Sequence, residues 1–360
     1  MSEPHVLMLG WEYPPFVSGG LGVACEGLVE ALRKETSLTL VLPRQFDGTA
    51  ESPSPASPYA DGSPELYGPD LVAEVEDYAR RAVDKAKRAD FDLIHAHDWM
   101  TARAGLEIRA QTGKPLVFHV HSLTYDRAGS EERSWIREVE EEVIQQANLV
   151  VAVSEYTRQI CLDHYGAEPE KTVVVHNGIR PVTPYRLDRP FTHKLVVFVG
   201  RLVAQKNPRL FLEIAAKVLA ENPNVRFAMA GAGEQLRGLM AHAVRLGIGD
   251  KVHFTGFLNR KKIHDLFAMA DLLCMPSTSE PFGLSALEAA QFGVPVVISE
   301  ESGASEILSH ARTVTKDDPD GFAHELIELL ANESPSLPRP SRSWGAVAEE
   351  LLAHYRTILT

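Results

Sequence analysis

Residues 275–299 read MPSTSEPFGLSALEAAQFGVPVVIS. A strand ends here (Leu272 to Pro276), a turn of Ser, Thr, Pro and Gly follows, a helix runs from about Gly283 to Phe292, and a second buried strand covers Pro295 to Ser299. Strand, turn, helix, strand is the repeating unit of a parallel sheet, whose functional crevice lies outside the carboxyl ends of its strands. The turn falls at that end. The amides of Phe282, Gly283 and Leu284 would face the crevice from a helix N-terminus, a place that favours an anion such as phosphate. Glu280 stands in the same turn, and Glu288 lies two turns into the helix. A carboxylate for sugar hydroxyls beside amides for phosphate is the set of partners that a nucleotide-sugar requires. The plainer alternative makes Glu280 a helix cap and Glu288 a solvated surface acid.

Outward from this stretch, VRFAMAGAGE and VHFTGFLNR are further strands that end in glycine-containing turns. The strand Leu195 to Gly200 delivers Arg201 and Lys206 to its carboxyl end, before a helix opened by Asn207 and Pro208. Two cations so close in a short loop can reach one diphosphate, Arg as a planar fork and Lys as a mobile point charge. The alternative is a pair of exposed surface cations. Residues 181–190, PVTPYRLDRP, are polar and proline-rich and read as a linker between domains. The tail from Trp344 to Leu359 is an amphipathic helix with Val347, Leu351, Leu352 and Tyr355 on its apolar face.

The first half alternates strands and helices in the same way. After a strand from His5 to Leu9, the glycines at 19, 20 and 22 sit where the chain turns into a helix, so backbone can approach a phosphate or sugar closely. They do not form the G-x-G-x-x-G dinucleotide fingerprint. Residues 44–70, rich in Pro, Ser and Gly, read as a surface insertion, and about Leu71 to Ala89 as a helix with a mixed-charge solvated face. Asp90 and Asp92 offer a D-x-D pair but precede their strand, at the end of the sheet away from the crevice. At the other end of that strand is HAHDWMT. His95 and His97 share one side of it, as His119 and His121 share one side of the next, FHVHS. Paired H-x-H units invite a zinc reading, with His176 as a further ligand, but no H-x-x-x-H, H-E-x-x-H or Cys pair accompanies them. The simpler role for His95 and His119 is core or capping.

The chain has 360 residues, comfortable for two domains, with 44% hydrophobic and 24% charged residues. A net charge of −13 argues against nucleic acid or an anionic membrane as the main partner. The three cysteines, Cys25, Cys161 and Cys274, are far apart and odd in number, as expected of reduced core residues in a cytoplasmic protein. The start lacks a signal-peptide layout, and no apolar run approaches the ~20 residues of a membrane span, so no stable membrane anchoring is expected.

The Gly-Gly loop, HAHDW, HVHS, HNG, GRL-x3-K and SEPFGLSALEAAQFGVPVV follow one another in an order that resembles the retaining glycosyltransferases of family 4 and the glycogen-synthase-like group. The last motif resembles their Glu-x7-Glu signature, and the likeness covers nearly the whole chain. It implies an α/β fold of the GT-B type, with two Rossmann-like domains facing a cleft. Residues 1–186 would form the acceptor-side domain and 187–340 the nucleotide-sugar-binding domain. Residues 341–360 would form a helix that crosses back to the first. By the same resemblance, Arg201, Lys206, Glu280 and His121 carry the transfer. Gly19, Gly20, Gly256, Phe257, Leu258, Phe282, Gly283, Leu284 and Glu288 hold the donor. His97 and Asp98 contact the sugar or acceptor, whereas Tyr125, Asp126 and Arg127 either contact an acceptor or cap their loop. Two positions depart from the pattern: Val17 replaces a Lys before the paired glycines, and Arg180 replaces the Asp after His-Asn-Gly-Ile.

The expected activity is metal-independent, retaining transfer of glucose from ADP- or UDP-glucose to an α-glucan, with no resident cofactor. The diphosphate leaves as an anion, so its stabilisation by Arg201, Lys206 and amides would dominate catalysis. No carboxylate is placed as a covalent nucleophile, which favours attack on the face the diphosphate leaves. A glucosyl- or mannosyltransferase with a lipid or small-sugar acceptor is the alternative within the class. Outside it stand a metal-dependent hydrolase built on the H-x-H pairs and a non-catalytic sugar-nucleotide sensor.

Overall fold

A computed structural model describes residues 3–14, 19–43, 69–129, 133–189, 191–332 and 338–360. Val17 and residues 44–68 of the expected insertion lie outside them. The chain divides into two units: Pro181–Ser341 forms one, and the other combines the described residues up to Arg180 with Arg342–Thr360.

In the first unit, β1 (Val6–Leu9), β2 (Leu38–Val41), β3 (Leu93–His97), β4 (Leu116–Val120), β5 (Leu149–Ala152) and β6 (Thr172–Val174) form a parallel sheet ordered β2-β1-β3-β4-β5-β6. Strands β1, β3, β4 and β5 are buried at every residue, because helices cover both faces of a parallel sheet and leave no wet side. The order reverses between β1 and β3, so their carboxyl ends open the crevice. The paired glycines follow β1 and HAHD closes β3. Asp92 lies at the opposite end, where its carboxylate accepts the amide of His5 at 2.8 Å, a structural role for the D-x-D pair.

The helix Trp344–Leu359 belongs to this unit. It packs Trp344, Val347, Leu351, Leu352 and Tyr355 into a core shared with Ala24, Leu28 and Leu32 of the helix Gly20–Glu35. The two approach so closely that a Cβ on Gly27 would fall 2.2 Å from the Trp344 ring. Arg342 supports the return by donating to the carbonyl of His176 at 2.9 Å. Arg180 binds Glu26 at 3.0 Å and Glu30 at 2.9 Å on the Gly20–Glu35 helix.

The second unit carries β7 (Lys194–Val199), β8 (Val225–Ala230), β9 (Val252–Gly256), β10 (Leu272–Met275), β11 (Val296–Ser299) and β12 (Arg312–Val314), all parallel and ordered β12-β11-β10-β7-β8-β9. Its reversal lies between β7 and β10. Arg201 follows β7 and Glu280 follows β10, so the two loops meet where a doubly wound sheet places its ligand. The segment expected as a linker has no regular structure over residues 181–189, but it is fastened along this unit. Tyr185 donates to Asp265 at 2.7 Å, Arg186 to the Ala270 carbonyl at 3.2 Å, and Arg189 to Asp271 at 2.5 Å. All three cysteines are buried and unpaired. No helix among the described residues is long and apolar enough to cross a membrane.

Candidate active site

Lys206 closes a single 3-10 turn after β7, and its Nζ lies 2.5 Å from Glu280 Oε2. Ser277 donates to the same oxygen at 3.3 Å. Glu280 is 7% exposed and its backbone is fixed on both sides: its N–H donates to Glu301 at 2.8 Å and its carbonyl accepts from Gly303 at 2.9 Å. The residue is therefore not the cap of the following helix, Leu284–Gln291. That position belongs to Gly283, whose φ of 89° is cheap only for glycine. Gln205, buried between the two cations, joins the loops. Arg201 donates to its side-chain oxygen at 3.3 Å, its amide donates to the Ser279 carbonyl at 3.1 Å, and its backbone carbonyl accepts from Thr278 at 2.9 Å.

Glu288 is partly covered rather than freely solvated. Burial pushes its carboxyl up to about 7, against the opposing pull of Arg260. Beyond β8, Gly231 packs so tightly that a Cβ would lie 1.8 Å from the Gly200 carbonyl, which fixes the glycine-rich turn against the Arg201 loop. Gly231 also donates to the Gly256 carbonyl at 3.0 Å and so orders the TGFL turn. There Phe257 stands 69% exposed while Leu258 is half-buried. Phe282 is buried.

In the first unit Gly19 is extended and has open space beside it, directly before the helix Gly20–Glu35. The histidines form a two-layered array. His95 Nε2 lies 3.2 Å from His119 Nδ1 in one layer, and His97 Nδ1 lies 2.9 Å from His121 Nε2 in the other. Rings stack between layers, with centroids 4.5 Å apart for His95 and His97 and 4.3 Å for His119 and His121. The far side of His95 is hydrogen-bonded to the Tyr355 hydroxyl. Burial lowers His95 and His121 to about 3 and holds His97 and His119 well below the ordinary histidine value, so the array is neutral at pH 7.

Direct sugar contact was expected of His97 and Asp98, but both stand behind His121. His97 is fully buried, and Asp98 accepts the His121 amide at 2.7 Å and the Ser122 amide at 3.3 Å. Asp98 adopts a φ of 55°, and burial raises its carboxyl to about 7. His121 remains partly exposed. After it, Asp126 accepts the amide of Leu123 at 2.7 Å, and Arg127 donates to Ser122, Thr124 and buried Glu140, the last at 2.8 Å. Both residues build the loop, which is the capping alternative. Tyr125 stacks on His164 with centroids 4.6 Å apart.

Among the described residues, His95, His97 and His119 could be brought to one metal ion, their ligand atoms lying within 4.8 Å of one another. Tetrahedral zinc, with bonds of ~2.0–2.1 Å, needs nitrogens about 3.3 Å apart and lone pairs that converge. These rings are near parallel, at 14° and 25°, so their in-plane lone pairs run side by side. The geometry suits a hydrogen-bonded stack better than a coordination shell.

Sequence comparison matches residues 18–182 to the pattern described as Glycosyltransferase Family 4, and residues 185–345 to Glycosyl transferases group 1. A D-inositol 3-phosphate glycosyltransferase of Mycobacterium avium is 32% identical over 74% of this chain and 69% of its own length. The chain belongs to the family-4 glycosyltransferases. An uncharacterized glycosyltransferase of Methanocaldococcus jannaschii is 28% identical over 98% of this chain and 97% of its own. A glycogen synthase of Mycobacterium tuberculosis is 27% identical over 86% and 81%. Two solved structures share the two-Rossmann-domain fold, each with a TM-score of 0.73. Sucrose-phosphate synthase from Thermosynechococcus elongatus is 20% identical, covering 99% of this chain and 96% of that one. The catalytic domain of starch synthase IV from Arabidopsis thaliana, bound to ADP and acarbose, is 17% identical, covering 99% and 100%.

For this glycosyltransferase, sequence reasoning missed Gln205, Glu140 and Tyr355. Gln205 sits in the very loop singled out for its cations, but an uncharged amide between Arg201 and Lys206 gives no sign that it faces inward. Glu140 lies in an acidic helix whose other carboxylates are more exposed. Tyr355 was read as one apolar position among several, and only its partner His95 shows that its hydroxyl matters.

Proposed function

We propose that this glycosyltransferase moves a glucosyl unit from ADP- or UDP-glucose to an α-glucan, with retention and without a metal ion. The observation that carries the reading is the Lys206–Glu280 pair at the switch point of the second sheet, beside Arg201. In the ligand-free chain the two charges satisfy each other. A diphosphate brings two or more negative charges to Lys206 and competes for it, which frees Glu280 to accept hydrogen bonds from sugar hydroxyls. Donor capture thus prepares the sugar site. As the anomeric bond breaks, negative charge grows on the leaving diphosphate, where Arg201, Lys206 and the amides at residues 282–284 are preorganised. Glu280 fixes the ring against rotation. Glu288 accepts from the ribose hydroxyls, and the Gly256–Leu258 turn meets the base through backbone groups. The paired Gly19 and Gly20 and His121 of the first unit attend the phosphate and the transferred sugar. The leaving phosphate accepts the proton of the attacking hydroxyl.

The glucan acceptor is supported by the glycogen-synthase relative and by the starch synthase that binds ADP and acarbose. The inositol-phosphate glycosyltransferase, 32% identical against 27% for the glycogen synthase, favours a small-sugar acceptor as the second reading. Incubation with ADP-, UDP- and GDP-sugars, with and without glycogen, tests both by nucleotide release. Release from ADP- or UDP-glucose that depends on glycogen is expected. Release that requires a small sugar or lipid acceptor instead selects the second reading. Activity is expected to survive EDTA, and a loss that Mg²⁺ or Mn²⁺ restores overturns the metal-free step.

A further inference from the structure

The histidine array allows an assignment of protons. A neutral imidazole carries one N–H, and the choice of nitrogen follows from the hydrogen bonds around it. His97 Nε2 and His119 Nε2 are both buried without a hydrogen-bond partner among the described residues. An orphaned lone pair inside a protein is more easily tolerated than an orphaned N–H donor. For His97, whose layer ends on the partly exposed His121, Nε2 is therefore bare and the ring carries its proton on Nδ1.

The consequences run through this layer. His97 Nδ1–H donates across 2.9 Å to His121 Nε2, which must then be a lone pair. The single proton of His121 is left on Nδ1, a nitrogen with no partner among the described residues on a ring that is partly exposed. In the other layer, His119 Nδ1 and His95 Nε2 share one proton across 3.2 Å, and His95 Nδ1 pairs with the Tyr355 hydroxyl; either direction of that chain leaves one donor unmet at an end, so the assignment rests on the first layer. Asp98 supports the first layer by holding the backbone amide of His121 at 2.7 Å, so both the main chain and the ring of His121 are fixed from behind.

We propose that His97 is a positioning residue that locks His121 as its Nδ1–H tautomer, so that His121 meets its ligand as a hydrogen-bond donor and not as a base. The tautomer follows from the array alone; that the ligand is the transferred sugar rests on the function proposed above. A donor at this point suits a sugar hydroxyl or ring oxygen that gains hydrogen-bonding strength as charge redistributes during transfer. Asn can replace the part of His97 that acts, because its side-chain NH₂ occupies nearly the place of Nδ1–H, whereas Phe keeps the volume and removes the donor.

The test is the two-bond ¹H–¹⁵N spectrum of full-length protein carrying ¹⁵N-histidine, with His121→Gln used for assignment. Wild type is expected to show His121 in the Nδ1–H pattern, His97→Phe to lose that pattern, and His97→Asn to keep it. For turnover of the nucleotide-sugar, His97→Phe is expected to lower kcat by about 10- to 100-fold, by analogy with the partners that orient metal-bound imidazoles, with donor KM nearly unchanged. His97→Asn should return kcat to within a few-fold of wild type. An Nε2–H pattern for His121 in the wild-type protein overturns the assignment, even if His97→Phe does not fold. Equal loss of kcat in the Asn and Phe variants overturns the positioning role. An Nδ1–H tautomer in a protein that turns over no nucleotide-sugar upholds the assignment and defeats the functional reading alone.

Discussion

At the reversal of its strand order, the first sheet holds four neutral imidazoles in a stacked, largely buried array. The corresponding place in the second sheet holds Arg201, Lys206, Glu280 and Glu288 on loops and a helix. Both are polar clusters in an α/β crevice, but they meet desolvation in opposite ways. Imidazoles can be buried uncharged and can then use hydrogen bonds to fix one another in place. Arg and Lys cannot discard their charge so readily, and the second unit keeps its two cations partly exposed and pairs Lys206 with Glu280. One cluster is fixed by hydrogen bonds among its own members; the other, in the proposed function, exchanges a partner.

The largest expected effect separates the two by acidification. Each array histidine has a folded-state value below the ordinary 6.5, so above pH 6.5 it is neutral whether folded or unfolded. As pH falls from there towards about 3, the unfolded chain binds protons that the folded array excludes, and stability is lost. Asp98, raised to about 7, opposes this by one proton, because the folded form keeps a proton that the unfolded form releases. Four lowered histidines against one raised carboxyl leave a net loss of stability on acidification below pH 6.5. His264 and His310 of the second unit are also lowered but only partly buried, and raised Glu288 acts in the other sense. Hydrogen exchange at pH 5 should therefore open β3 and β4 well before β7 and β10. Equal opening would break the contrast.

Next comes the charged cluster. In the proposed function Arg201→Ala or Lys206→Ala removes charge where the leaving diphosphate would gain it, and each should lower kcat about 10²–10³-fold, or ~3–4 kcal/mol. A change confined to KM, in steady-state assays of nucleotide release, would make these residues ground-state binders only. Gly27→Ala strikes the first unit instead. Its methyl would overlap the Trp344 ring, so a loss of about 1–3 kcal/mol is expected. Urea unfolding followed by exchange at β1 and β3 should register it while donor KM stays put.

The smallest effect concerns Glu288. If Glu288 holds the donor's ribose as proposed, the ribose hydroxyls donate best to an ionised carboxylate, and this one is raised to about 7 by burial. Donor KM should fall severalfold or less as pH rises through about 7, and Glu288→Gln should flatten that profile. A change in kcat with constant KM would move Glu288 from binding to chemistry.

Much of this was legible in the sequence because periodicity and glycine placement act locally. The helix Trp344–Leu359 could be bounded to the residue by its apolar face, and β1, β7, β10 and β11 to within a residue, whereas β2 and β12 carried no signal that was read. The Glu-x7-Glu stretch located one crevice. What could not be read were pairings between distant loops. Nothing in HAHDW says that His97 faces His121 rather than a sugar, since strand periodicity gives the side of the sheet but not the lean of a ring. Likewise the link between Gln205 and Ser279 spans 74 positions and exists only because β7 and β10 are neighbours. The boundary near 186 was placed late for a similar reason. Tyr185 and Arg186 look like linker residues until Asp265 and the Ala270 carbonyl are seen to hold them.

The helix Trp344–Leu359 also sets an order of assembly. Its apolar face completes the core that begins with β1, and its Tyr355 hydroxyl is a partner of His95. A ribosome that has released residues up to Arg180 has made six strands of a sheet whose covering helix is still more than 150 residues from synthesis. The second unit, continuous in sequence, can fold as it emerges, whereas the core of the first lacks Trp344, Val347, Leu351, Leu352 and Tyr355 until that helix is made. The earliest-made half of this protein is thus the last to be finished, and it is the half for which a nascent-chain chaperone has most to shield.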